Sequence, residues 1–397
     1  MRDRNILKKL DFPILCLIAV LFTIGMFAIA SATKAYAGDY GHIRMQAIAF
    51  VLSIVVMVLI LNIDYTALKG FSPYLYIILI IPLLLLITIP SLGHSTYGAT
   101  RWFKIGPVQI QFSEFAKVLF ILTFAAHINR IQEKGRENIN KIRKLIPLFI
   151  HAAIPVSFIM AQPDNGTALV FCVIGASMLF VSGIDKKYIF GAITGLIAAL
   201  PAFYFFVLPR LPKYVQNRIF VFLDPSRDPM GAGYNVMIAK LSVGSGGIWG
   251  QGLFKGIQIQ MGALPVKESD FIFSVIGEEL GFIWCAIIVI CFMLLFIRLL
   301  SLARTSREYF GTLIITGVTS MMAFHVLQNI GMNIGIMPVA GIPLPFISYG
   351  GSALLTNMIG VGLVLNAGMP RKKQYLNDIE EVSIYKLNLR AIKKYVR

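Results

Sequence analysis

ALPVKESDFIFSVIGEELGF (Ala263–Phe282) runs on without a further charged residue through Ile297. Pro265, Lys267, Glu268 and Asp270 read as a loop, and the segment after them is apolar and long enough for a bilayer, which takes about 20 residues. Glu278 and Glu279 sit inside its start. A carboxylate where a watery loop meets a hydrophobic helix is partly desolvated, so its proton affinity and reactivity are open to tuning. Ser269 and Asp270 are also good helix caps, able to satisfy the orphan N–H groups of a helix start. From these residues alone the two readings stand level.

The rest of the chain repeats the apolar pattern. Hydrophobic residues make up 57% of the 397 and charged residues 14%, against roughly 25% charged in a soluble domain. The expected fold is therefore all-α: a polytopic membrane protein in one domain, 1–397, with ten transmembrane helices. The first span is Phe12–Ala32, about 20 residues and longer than the h-region of a signal peptide. The others are expected near 44–62, 74–90, 113–128, 147–161, 167–183, 188–208, 271–297, 310–333 and 349–369, with the fourth and fifth short for a core of about 30 Å. The net charge of +17 has no soluble basic domain to carry it, so nucleic acid is not an expected partner. Loops on one side of the ten spans hold 24 Lys and Arg, those on the other 11, and Lys117 lies within a span. The positive-inside rule then puts both termini in the cytoplasm and Asp270 outside, at the mouth of span eight. Cys16, Cys172, Cys285 and Cys291 lie in apolar runs without metal-ligand spacing, and the five histidines form no HExxH-like cluster, so no metal site is expected from them. The tail 370–397 is basic and suits an interfacial helix, a partner-binding segment or a disordered one.

Four stretches on the outer side carry more polar residues than topology asks for. In GATRWFKIGPVQIQFSEFAK (Gly98–Lys117), Glu114 and Lys117 are three apart on a helix entering the membrane and so share a face. Ionisable residues within a span are costly and mark function by default. Arg101 and Trp102 fall at the interface. QPDNGT (Gln162–Thr167) is a turn and helix start that places Asp164. The long loop 209–270 holds Arg218, Lys267 and five other basic residues on the side that positive-inside sorting depletes; an anionic ligand and lipid headgroups both account for them. Its SVGSGGIWGQGLFKG (Ser242–Gly256) is neither a P-loop nor GxGxxG, and its glycines permit close backbone approach. The fourth stretch, HVLQNIGMNIGIMPVAGIPLPFISYGGS (His325–Ser352), sets His325, Gln328, Asn329 and Asn333 along one helix and then breaks it at Pro338, Pro343 and Pro345. Non-helical backbone at membrane depth is tolerated only against protein or a water-filled cavity. A cavity lined by Arg101, Glu114, Lys117, Asp164 and Asp270 is expected at this end.

These motifs, in this order, resemble the SEDS family (shape, elongation, division and sporulation) of bacterial cell-wall polymerases. The resemblance covers about Gly98 to Pro370, and the last motif is closer to the elongation than to the division members. It implies ten helices with a large extracellular loop (209–270) between spans seven and eight. It also implies peptidoglycan glycosyltransferase activity on lipid II and a class B penicillin-binding protein, with other elongation-complex membrane proteins, as partners. Asp270 matches the family's essential acidic residue, Arg101, Glu114 and Lys117 its polar cluster, and Asp164 its QPD motif. Arg218, Lys267 and Ser348 complete the candidate substrate-binding set. Phe112, Asn165 and Ser269 stand where the family usually has Pro, an apolar residue and Thr. The implied chemistry needs a carboxylate base for the acceptor hydroxyl. It also needs positive charge, from Arg and Lys or a divalent cation (Mg2+ or Mn2+), for the leaving diphosphate. A single compelling carboxylate suits inverting transfer. A lipid II flippase would use the same cavity without a reactive carboxylate, and a scaffold would need neither.

Overall fold

The computed structural model describes residues 10–34, 40–89, 93–96, 99–105, 108–211, 213–306 and 308–369. The tail and the first nine residues lie outside these, as does the expectation for the tail. Helices α1 (Phe12–Lys34), α2 (Gly41–Leu61) and α3 (Ser72–Thr88) are followed by strands β1 (Gly93–Thr96), β2 (Ala99–Ile105) and β3 (Val108–Gln111). Next come α4 (Phe112–Gln132), α5 (Ile142–Ala161), α6 (Asn165–Val181) and α7 (Lys186–Ala202). Three shorter helices, α8 (Lys213–Leu223), α9 (Ala232–Ser245) and α10 (Ile257–Gln260), occupy the long loop. The chain closes with α11 (Ile272–Thr305), α12 (Tyr309–Asn333) and α13 (Gly351–Gly368).

Among the described residues eight helical segments are long and apolar enough to cross a membrane, so the protein is a multi-pass membrane protein. α3 and α6 are apolar but have 17 residues each, about 25 Å of helix against a hydrocarbon core of about 30 Å. α7 also has 17 residues but continues through an irregular helical stretch to Arg210, a span of 25. The expected fourth and fifth spans are not short, since their helices α4 and α5 run 21 and 20 residues. α4, α12 and α13 form the centre, with most of their residues buried, while α2, α5 and α7 face outward over most of theirs. The central helices are also the less apolar ones. In a membrane, polar side chains go to the protein interior, where partners satisfy them.

One departure from an all-helical reading is the segment before α4. β1, β2 and β3 form an antiparallel sheet in that order, with Trp102 opposite Gln111 and Phe103 opposite Ile110. Its residues are rich in β-branched and aromatic types (Thr96, Thr100, Trp102, Phe103, Ile105, Val108, Ile110), which suit strands. The sheet delivers the chain directly into α4. The connection from 334 to 350 is irregular, as its prolines require, yet Ile342, Leu344, Phe346 and Ile347 are buried in it. Its second half, 342–348, is an interior segment, while Ile336 in the first half is exposed. α11 is interrupted at Gly281 (φ 79°, ψ −173°), a conformation open only to glycine.

Candidate functional site

Glu114 lies in the first turn of α4 and Lys117 one turn further, both buried, with Lys117 1% exposed. Lys117 Nζ donates to Glu114 Oε1 at 2.8 Å and contacts His325 Nε2 of α12 at 3.1 Å. An ammonium has only protons to offer, so Nε2 accepts and the imidazole is neutral with its hydrogen on Nδ1. Glu114 Oε2 and His325 Nδ1 are enclosed and take no protein partner. Burying two charges in hydrocarbon is expensive unless they are paired, and the pair gives each its counter-charge.

From His325 the polar stripe of α12 continues at spacings of four through Asn329 and Asn333. Asn329 Nδ2 donates to the main-chain carbonyls of Asp270 (3.0 Å) and Ile342 (2.8 Å). Asn333 Nδ2 donates to the same Asp270 carbonyl at 3.1 Å. Its Oδ1 accepts from Ser274 N (3.1 Å) and Ser274 Oγ (2.6 Å), capping the start of α11 from another helix. The N-cap residue of α11 is Phe271, whose side chain caps nothing. Side chains one turn apart on a helix sit about 5–6 Å from one another. The contacts of His325 and Asn329 thus put Lys117 and Asp270 at the two ends of a single turn of α12.

The Asp270 carboxylate is framed by its neighbours. Ser269 Oγ donates to its Oδ1 at 3.2 Å, and Oδ2 lies 3.4 Å from the place a Cβ would occupy at Gly341. The Ser348 hydroxyl is engaged by main-chain groups. Its Oγ donates to Ser269 O at 2.6 Å and accepts from Leu344 N at 2.8 Å, tying the 334–350 connection to the residue before Asp270. Tyr349 N donates to Glu268 O at 2.9 Å in the same join. Gln46 of α2 fastens this segment from the other side, donating to Ser348 O and accepting from Gly350 N, both at 3.1 Å.

Asp164 precedes α6 and accepts from Thr167 N at 3.2 Å. Its Oδ2 also accepts from Gln111 Nε2 at 3.4 Å, and that amide donates to Ser113 Oγ at 3.1 Å. Gln111 N in turn donates to Ser352 Oγ at 3.3 Å. β3, α6 and the start of α13 are thereby joined beside Glu114. A side chain at Gly166 would lie 2.5 Å from Ala340 O, so this turn abuts the connection that passes Asp270.

Lys267 is fully enclosed and goes elsewhere: its Nζ donates to Ile259 O at 2.5 Å. Burial pushes its ammonium below the ordinary lysine range, against the pull of Glu268, Glu279 and Glu278, which raise it. Arg101 stands on β2 and Arg218 on α8; their side chains lie outside the described residues. Among the described residues no group of three or more His, Cys, Asp or Glu side chains is placed to hold a metal ion. Gln46, Gln111, Ser352 and Gly341 were not singled out in the sequence. Gln46 carried a usable signal, since an amide within an apolar span is costly without a partner.

The sequence profile of the cell cycle proteins FtsW, RodA and SpoVE matches residues 12–373. Peptidoglycan glycosyltransferase MrdB of Escherichia coli (strain K12) is 35% identical over 364 residues, 91% of this chain and 94% of MrdB. The probable peptidoglycan glycosyltransferase FtsW of Geobacter metallireducens is 32% identical over 372 residues, 92% of this chain and 96% of its own. Among solved structures, a chain from a peptidoglycan synthase complex described as coordinating polymerization and crosslinking superposes with a TM-score of 0.76 at 28% identity. That match covers 90% of this chain and 97% of the other. The rod shape determining protein RodA of Thermus thermophilus superposes with a TM-score of 0.66 at 26% identity over 90% of this chain and 96% of its own.

Proposed function

The chain belongs to the FtsW, RodA and SpoVE family of cell cycle proteins, and we propose that it is a peptidoglycan glycosyltransferase of cell-wall elongation. It joins lipid II units and releases undecaprenyl diphosphate. The observation that supports this reading is that the buried cation Lys117 and the main-chain carbonyl of Asp270 meet residues one turn apart on α12, His325 and Asn329. Glycan extension needs a carboxylate and a cation. The acceptor 4-hydroxyl gives its proton to the Asp270 carboxylate as its oxygen bonds to the donor's anomeric carbon, and the bond from that carbon to the diphosphate breaks. Lys117 offsets the charge that develops on the departing diphosphate, and Glu114 holds it in place. A single base suits transfer with inversion.

Arg101 and Arg218 are assigned to the diphosphate by their charge, Asp164 to orienting Gln111 beside Glu114, and Ser348 and Lys267 to holding the segments around Asp270. A divalent cation (Mg2+ or Mn2+) bound with the diphosphate would supply further positive charge for its departure. The excess of Lys and Arg on alternate loops supports cytoplasmic termini and an extracellular Asp270. The likeness to a chain of a synthase complex supports a class B penicillin-binding protein as partner.

Incubating the purified protein with lipid II, alone and with its partner, tests this function. Glycan strands are the expected product. Leaflet exchange of lipid II without strands would make the protein a flippase, and neither would make it a scaffold.

A further inference from the structure

The glycine run Ser242–Gly256 plays no part in the site above, yet its backbone is bound closely to α11. Where α11 breaks at Gly281, the backbone groups freed by the interruption are taken up by this loop. Gln251 N donates to Glu278 O and Gly252 N to Glu279 O, both at 2.9 Å. In return Phe282 N donates to Gly247 O at 2.9 Å and Ile283 N to Ile248 O at 3.3 Å. The two main chains approach so closely that a Cβ at Gly250 would lie 2.2 Å from Glu279 O, and one at Gly281 2.3 Å from Gly250 N. The segment that follows is pinned by two buried carboxylates: Glu278 Oε1 accepts from Gln258 N at 2.7 Å, and Glu279 Oε1 accepts from Gly256 N at 3.4 Å and from Ser31 Oγ of α1 at 2.6 Å. Glycines at both faces make this contact, and it leaves no freedom for the tip between them.

The tip is Ile248-Trp249, and it faces away from the protein. Ile248 is 61% and Trp249 81% exposed, beside Phe282 at 67%. A large aromatic held so far open by a rigid backbone costs free energy in water unless something covers it. Its height along α11 identifies the cover. From Phe282 to Arg298, which pairs with Asp11, α11 carries no charge over a length of about 24 Å, the larger part of a hydrocarbon core of about 30 Å. Trp249 sits where that uncharged run begins. The outward face of the same run (Phe282, Trp284, Val289, Ile290, Met293) is also exposed, as a lipid-facing helix must be. Exposed Lys255 follows on the same loop, a cation of the kind that reaches lipid phosphate from such a position.

We infer that residues 246–256 clasp the broken α11 so as to seat Ile248 and Trp249 in the headgroup–acyl boundary of the bilayer, lipid being the partner of this surface. The clasp fixes the height at which the membrane surface meets the Asp270 end of the bundle. Trp side chains concentrate at this boundary because one edge of the indole is apolar and the other carries an N–H.

The chain has three tryptophans, Trp102, Trp249 and Trp284, so Trp102→Phe with Trp284→Phe leaves Trp249 as the single reporter. In liposomes of brominated phosphatidylcholine, its emission should be quenched several-fold more by bromines near the glycerol than by bromines near the bilayer centre, and little by acrylamide in the water. Strong acrylamide quenching with none from the lipids would overturn the inference. So would acrylamide quenching that disappears when a class B penicillin-binding protein is added, because the surface would then be a protein interface. If the double variant does not reconstitute, quenching of the wild type minus that of Trp249→Phe reads the same quantity.

Discussion

Asn329 holds Asp270 by its main-chain carbonyl, at 3.0 Å, from a helix that begins nearly forty residues later in the chain. The same amide grips Ile342 O, so one side chain sets the distance between the loop bearing the carboxylate and the connection that frames it. Replacing it with alanine leaves Asp270 chemically intact but unanchored on that side. Misplacement of a reacting group by about 1 Å costs on the order of 10²-fold in rate. Asn329→Ala should therefore lower kcat by about 10–10²-fold with KM within a few-fold. Unchanged kcat would make the asparagine stripe interhelical packing alone.

Glu114→Gln and Lys117→Met separate structure from chemistry in the buried pair. Glu114→Gln leaves a buried ammonium without its counter-charge and should destabilise the fold by about 3–5 kcal/mol. Lys117→Met leaves a carboxyl that can take up a proton, so its melting temperature should fall less while polymerisation is lost. Wild-type turnover in Lys117→Met would remove Lys117 from the reaction.

The Glu114–Lys117 pair was legible from a spacing of three, and the polar stripe of α12 from its periodicity. What the stripe binds was not legible. Asn329 and Asn333 bond to a carbonyl 59 and 63 residues away, and main-chain acceptors carry no residue type to read. The capping reading of Asp270 stood level for the same reason, since the cap for α11 comes from Asn333 on another helix. Before α4, the alternation in ATRWFKI and VQIQ signals strands, but the apolar content drew attention to the span instead. The glycine run invited comparison with ligand loops, while its true contact is the glycine break in α11, about thirty residues on.

Gly281→Ala tests that contact. A side chain at φ 79° and ψ −173° is strained by roughly 1–3 kcal/mol, and its Cβ would lie 2.3 Å from Gly250 N. The variant should melt well below wild type or fail to accumulate. A melting temperature equal to that of wild type would mean that the two main chains do not meet.

Lys267 makes stability depend on pH in a definite direction. Its folded-state proton affinity is below the ordinary lysine value of 10.5 because it is buried. Between those two values the unfolded chain binds more protons than the folded one, so stability rises with pH through that window. The melting temperature of wild type minus that of Lys267→Met should therefore increase as pH is raised toward 10.5. A difference that falls over this range would show that the carboxylates around Lys267 outweigh its burial.

The central claim is that Asp270 is the base, and polymerisation of lipid II by Asp270→Asn, with melting measured on the same preparation, tests it most directly. The substitution keeps the shape and the main-chain bonds to Asn329 and Asn333 and removes only the basic carboxylate. Loss of a general base costs about 10²–10⁴ in rate, whereas an N-cap is worth about 1 kcal/mol of stability. The account predicts a fall in polymerisation of that size with a melting temperature within a few degrees of wild type. Polymerisation within a few-fold of wild type would contradict it.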